Sequence, residues 1–126
     1  MSLLSIFIPI KASAALPYAK SPDSVGHVGR PYPYMIFQNM EALHVSSVEH
    51  VVKVGDTVSD ILEGKHAGVF TVGVVEGSSE MGLTEEEYDA LTQEKKEEKI
   101  EEVRQRFQKA GADAVILHMG ELLKLL

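Results

Sequence analysis

Cysteine and tryptophan are absent from the chain, aromatic residues make up only 6% of it, and lysine and arginine form no basic run. Without cysteine there are no disulfides, no thiolate metal ligands and no cysteine nucleophile; such a composition suits a reducing compartment, and the expectation is a cytoplasmic protein. A net charge of -7 argues against a surface that tracks phosphodiester backbones or anionic membranes, so neither nucleic acid nor membrane is an expected partner. Long hydrophobic runs are missing too. The apolar stretch in "MSLLSIFIPIKASAAL" has roughly 8 to 10 apolar positions, too short to span a bilayer, and it lacks the basic segment that precedes the core of a secretory signal. It reads as a buried strand or a short core helix, and periodicity does not separate the two at this length.

Several catalytic signatures are also absent. No G-x-S-x-G, P-loop or G-x-G-x-x-G occurs, which leaves an α/β-hydrolase, a P-loop NTPase and a dinucleotide-binding domain without support. The histidines, His27, His44, His50, His66 and His118, form no pair at metal-ligand spacing and read as surface or cap positions.

What remains is 126 residues, 44% hydrophobic, enough for one compact domain. Residues 11–33 are irregular and rich in Pro, Gly, Ser and Ala. Pro33 suits the first turn of a helix through "YMIFQNMEALH". "HVVKV" is a β-branched strand ending at Gly55, "SDILEGKHA" a helix stopped by Gly68, and "VFTVGVV" a second, nearly all-apolar strand. Residues 84–110 form a long helical stretch with a break near Thr92, opened by a capping box of Thr84 and Glu87. "DAVILHM" is a third strand and "GELLKLL" a last short helix. Strands alternating with helices predict an α/β fold with a parallel sheet and crossover helices. In such sheets ligands bind beyond the carboxyl ends of the strands.

"VVKVGDTVSD" brings Asp56 and Asp60 to that end of the first of these strands. Thr57 and Asp60 have capping-box spacing, which accounts for Asp60 structurally. Asp56 is less easily explained. Two like charges so close raise each other's pKa unless a cation intervenes, and magnesium favours one or two carboxylates with waters and phosphate oxygens. A metal turn and a purely structural acidic turn both fit this spacing.

Three motifs in order, "GRPYPYM", "GDTVSD" and "GSSEMGLTEEE", followed by "RFQKAGADAVI", resemble the phosphonoacetaldehyde hydrolase family of the haloacid dehalogenase superfamily. The resemblance runs from about Val25 to Leu126, leaving 1–24 as a divergent N-terminal segment. It implies the C-terminal part of a Rossmann-like haloacid dehalogenase core without its cap domain. The implied activity is magnesium-dependent cleavage of a carbon–phosphorus bond, giving acetaldehyde and phosphate. By the same resemblance Asp56 ligates Mg2+, Asp60 is the second acid supporting the metal site, and Arg30 holds the phosphoryl group of a small phosphonate or phosphate ligand. From composition alone, Arg30 reads more simply as a surface residue of a proline-rich loop. Tyr32 and Tyr34 read as packing or helix-start residues, and the loop Gly77-Ser78-Ser79 as lying near the site without assigned chemistry.

The chain also departs from the family pattern. No "DxAGT"-like nucleophile motif occurs; Asp23, Asp89 and Asp113 do not follow an apolar strand; and Lys11, Lys20 and Lys53 match no Schiff-base context, with Lys53 inside a strand. Ser13 is a candidate for the serine or threonine motif by position alone. The expectation is a truncated chain unable to perform covalent phosphoryl transfer by itself. The alternative function is an inactive remnant or a binding module for metal and small phosphate. With the nucleophile strand missing, residues 51–55 would be an open sheet edge. Either "LLSIFIPI" fills the slot, bringing Lys11 near the nucleophile's position, or a homodimer covers it.

Overall fold

Val51–Gly55 forms the strand that its β-branched run implies, and every residue of it is buried. The protein is seen here as a computed structural model that describes residues 6–9 and 29–125. The elements, in chain order, are β1 (Ile6–Pro9), α1 (Tyr34–Ala42), β2 (Val51–Gly55), α2 (Val58–Ala67), β3 (Phe70–Val74), α3 (Glu85–Asp89), α4 (Gln93–Ala110) and β4 (Ala114–Ile116), with 3-10 turns at Val48–His50, Ser79–Met81 and Met119–Lys124. The sheet has strand order β1-β2-β3-β4. β2, β3 and β4 are parallel, joined by α2 and by the α3–α4 pair, which is the α/β arrangement expected.

β1 takes the edge of β2 but runs antiparallel to it, pairing Ile6 with Val54 and Pro9 with Val51. The N-terminal apolar run therefore fills the open slot as a strand. Its carboxyl end lies beside the start of β2, away from Gly55. Lys11, Ser13, Lys20, Asp23 and His27 lie outside the described residues.

Register decides which residues face which layer. Val52 and Val54 share one face with Val72, Val74 and Ile116, where Leu122 and Met119 pack against them. Val51 points the other way, toward Ile36, Ala67 and Val69. Further along that second face, α4 lays Phe107 against Gly73, where an added Cβ would come within 2.6 Å of the ring. Ile61, Val103 and Val75 complete this cluster.

Several expected boundaries shift. Thr92 is the N-cap of α4, its hydroxyl accepting from Lys95 N, so the long helical stretch is two helices with the break at the foreseen place. The third strand is only Ala114–Ile116, shorter than "DAVILHM", and the final segment is a 3-10 turn rather than an α-helix. Gly111, with φ at 104°, ends α4 in the left-handed region. No helix among the described residues is long and apolar enough to cross a membrane.

Candidate functional site

The carboxyl end of β2 turns straight into α2, and the turn is locked by side chains. Thr57 Oγ1 accepts the N–H of Asp60 at 3.0 Å, while Asp60 Oδ2 accepts the N–H of Thr57 at 3.2 Å and of Asp56 at 3.1 Å. This capping box satisfies the first amides of α2 and sets a negative charge at the positive end of its dipole. It is built from Thr57 and Asp60 and does not require Asp56.

Asp60 is fully buried, and a carboxylate at that depth must be compensated. Arg30 Nη1 donates to Asp60 Oδ1 at 2.8 Å, a charge-assisted hydrogen bond. Lys53 Nζ lies 3.9 Å from the same oxygen and 2.6 Å from Glu63 Oε1. Two cations and two carboxylates thus form one buried network under the turn. Burial raises the pKa of Glu63 above the ordinary carboxylate value, and the Lys53 charge beside it opposes that rise.

Asp56 sits just beyond β2 at the rim of this network and is 9% exposed. Its carbonyl accepts a short hydrogen bond from Ser78 Oγ. Ser78 is itself buried and caps the 3-10 turn at Ser79–Met81 by accepting from Glu80 N at 3.1 Å. Glu80 Oε1 in turn accepts Val58 N at 3.0 Å. The loop after β3 is therefore fastened to the Asp56 turn from both ends. On the opposite side, His66 Nδ1 donates to the Pro31 carbonyl at 2.6 Å, tying the Arg30 loop to the last turn of α2.

Arg30, Asp56 and Asp60, chosen from the sequence, come together at one strand end. Tyr34 starts α1 as expected, but neither it nor Tyr32 packs into the core: both are more than half exposed, and their rings stack with centroids 6.3 Å apart. The Gly77-Ser78-Ser79 loop lies beside the site as expected, with Ser78 bonded to the Asp56 carbonyl, whereas the sequence assigns Lys53, Glu63 and His66 no place in the site. Lys53 and Glu63 carried one available signal, since a lysine within an apolar strand and a glutamate on a buried helix face each need a partner. Ser78 and His66 act through contacts distant in sequence.

Among the described residues, no three histidine, aspartate or glutamate side chains gather as a metal-ligand set. Magnesium needs fewer, one or two carboxylates with waters and phosphate oxygens, and the carboxylate of Asp56 at the rim fits that donor chemistry. An open cleft of about 780 Å³ lies beyond the ends of β3 and β4, between Ser78, Met81, Tyr88 and Ile100; Arg30, Asp56 and Asp60 do not line it.

A family model described as HAD-hydrolase-like matches residues 27–104. The phosphonoacetaldehyde hydrolase of Lysinibacillus sphaericus is 55% identical over 102 residues, 81% of this chain and 38% of that protein. That of Bacillus cytotoxicus is 50% identical over 105 residues, 83% of this chain and 39% of that protein. A crystal structure of a phosphonoacetaldehyde hydrolase-like protein from Oleispira antarctica superposes with a TM-score of 0.72 at 36% identity, covering 77% of this chain and 35% of that one. The chain thus spans less than two fifths of the length of these curated relatives. With the family model matching well over half of its residues, this chain belongs to the haloacid dehalogenase-like hydrolase family.

Proposed function

We propose that the chain is the C-terminal core portion of a phosphonoacetaldehyde hydrolase and carries the magnesium and phosphate half of its site. The observation that carries this is the joining of Arg30, Asp60 and the Asp56 turn at the carboxyl end of β2, in a chain 55% identical to a phosphonoacetaldehyde hydrolase. Asp56 would hold Mg2+, and the ion when bound supplies positive charge against the phosphoryl oxygens. Arg30 presents a planar, permanently charged fork suited to a phosphonate or phosphate group. Asp60 orients Arg30 and holds the Asp56 backbone, so its part is to support rather than to touch substrate. A cytoplasmic setting goes with this function, because a chain without cysteine suits a reducing compartment.

The 126 residues contain no "DxAGT"-like nucleophile motif, so turnover is expected only when another polypeptide segment supplies the nucleophile and the Schiff-base lysine. A second function, binding of small phosphates with metal but without turnover, is favoured by one observation: Arg30 and Lys53 pair with Asp60 and Glu63 within residues 30–63, and these pairings need no nucleophile to form. Assaying phosphonoacetaldehyde hydrolysis with magnesium, in the presence of a polypeptide segment that carries the nucleophile and the Schiff-base lysine, separates the two. Acetaldehyde release that Asp56→Ala abolishes supports the hydrolase. Saturable phosphate binding with no acetaldehyde at high protein concentration supports the binding module.

A further inference from the structure

Glu63 has no part in the half-site above, yet it is fully buried on α2. Its Oε2 finds no hydrogen-bond partner among the described residues, while Oε1 lies 2.6 Å from Lys53 Nζ. Retaining an ion pair at such depth is no clear gain in stability over apolar packing. What distinguishes this pair is its neighbour: the Lys53 ammonium stands between two carboxylates, 2.6 Å from Glu63 and 3.9 Å from Asp60 Oδ1. That Asp60 oxygen is the one that accepts Arg30 at 2.8 Å.

The stem of Lys53 has little lateral room. A Cβ at Gly64 would come within 3.1 Å of Lys53 Cγ and 2.3 Å of Thr71 Oγ1, so the absence of a side chain there makes the passage for the stem. The ammonium's position is therefore set by the two carboxylates it faces. Two cations crowding one carboxylate oxygen repel each other strongly where water is excluded.

We propose that Glu63 is a positioning residue that draws the Lys53 ammonium away from Asp60 and so reserves Asp60 Oδ1 as the anchor of Arg30. On the proposed function, Arg30 is the group that meets phosphate, and the effect of Glu63 on ligand binding rests on it. Removing the Glu63 charge leaves Asp60 as the nearest anion for Lys53. The ammonium then moves onto Oδ1, and Arg30 loses its fixed orientation.

The test is the NMR signal of the Arg30 side-chain Nε–H, with its solvent exchange rate, in the wild type and in Glu63→Gln, Glu63→Asp and the double variant Lys53→Met with Glu63→Gln. In Glu63→Gln the signal should shift and exchange faster. In Glu63→Asp, which keeps the charge but retracts it from Lys53, it should move the same way by less. The double variant, with no competing cation, should return it to the wild-type position. Affinity for inorganic phosphate should fall roughly tenfold in Glu63→Gln and recover in the double variant. An Arg30 signal unmoved in folded Glu63→Asp, or a double variant as displaced as the single, overturns the proposal and leaves a merely structural ion pair. Should Glu63→Gln fail to fold, Glu63→Asp and the double variant decide the matter alone. If the Arg30 signals follow this order while wild type binds no phosphate, the positioning role stands and the proposed function falls.

Discussion

Gly55 and Asp60 occupy adjoining space so closely that a Cβ on Gly55 would lie 2.2 Å from the Cβ of Asp60. The capping carboxylate packs directly over the last residue of β2, which is how one side chain reaches both the Asp56 and Thr57 amides. Gly55→Ala should therefore force Asp60 off its cap and destabilise the fold by about 1–3 kcal/mol, the usual range for overpacking. Urea denaturation measures this, and an unchanged midpoint would show that Asp60 shifts without cost.

Asp60→Ala tests the buried network from the other side. It removes the partner of Arg30 and leaves the backbone amides of Asp56 and Thr57 without their acceptor. Breaking a buried ion pair on one side costs on the order of 3–5 kcal/mol. Thermal unfolding of the variant should show a loss of this size. A loss below about 1 kcal/mol would be that of an exposed pair and would contradict the burial of Asp60.

Ser78→Ala should loosen the loop after β3 while leaving the α2 cap intact. The substitution removes the donor to the Asp56 carbonyl and the acceptor for Glu80 N, a loss of about 1–3 kcal/mol for polar groups left buried without partners. Amide hydrogen exchange should quicken at Glu80 and Met81 and stay unchanged at Thr57 and Asp60. Equal protection at all four would mean that the loop is held by its packing alone.

The pH dependence follows from Glu63. Burial holds its folded-state pKa above the ordinary 4.5, against the opposing charge of Lys53. Between 4.5 and the raised value, the folded protein keeps a proton that the unfolded chain has released, so stability falls as pH rises through that window. A carboxyl carbon NMR titration should give a midpoint for Glu63 above 4.5; a midpoint at or below that value would contradict the desolvation argument.

Local signals in the sequence were enough for much of this architecture. Thr57 with Asp60 and Thr84 with Glu87 have capping spacing, Thr92 breaks a helical stretch, and Gly68 and Gly111 end helices; each of these devices acts within a few residues. The direction of β1 was not legible, because an apolar run of that length pairs either way and the choice depends on chain distant in sequence. The same holds inside the site. Arg30, Asp56 and Asp60 stood out through motif resemblance, whereas Lys53 with Glu63, Ser78 with the Asp56 carbonyl, and His66 with Pro31 become partners only when register and helix phase are fixed.

The claim on which the whole account turns is that Asp56 and Arg30 form the metal and phosphate half of a phosphoryl-transfer site. Calorimetric titration of Mg2+ into the protein with inorganic phosphate present tests it most directly. The account predicts saturable binding in the wild type, lost in Asp56→Asn and, when phosphate is the titrant, weakened in Arg30→Lys, where the planar fork is gone. Identical traces for the wild type and Asp56→Asn would contradict it.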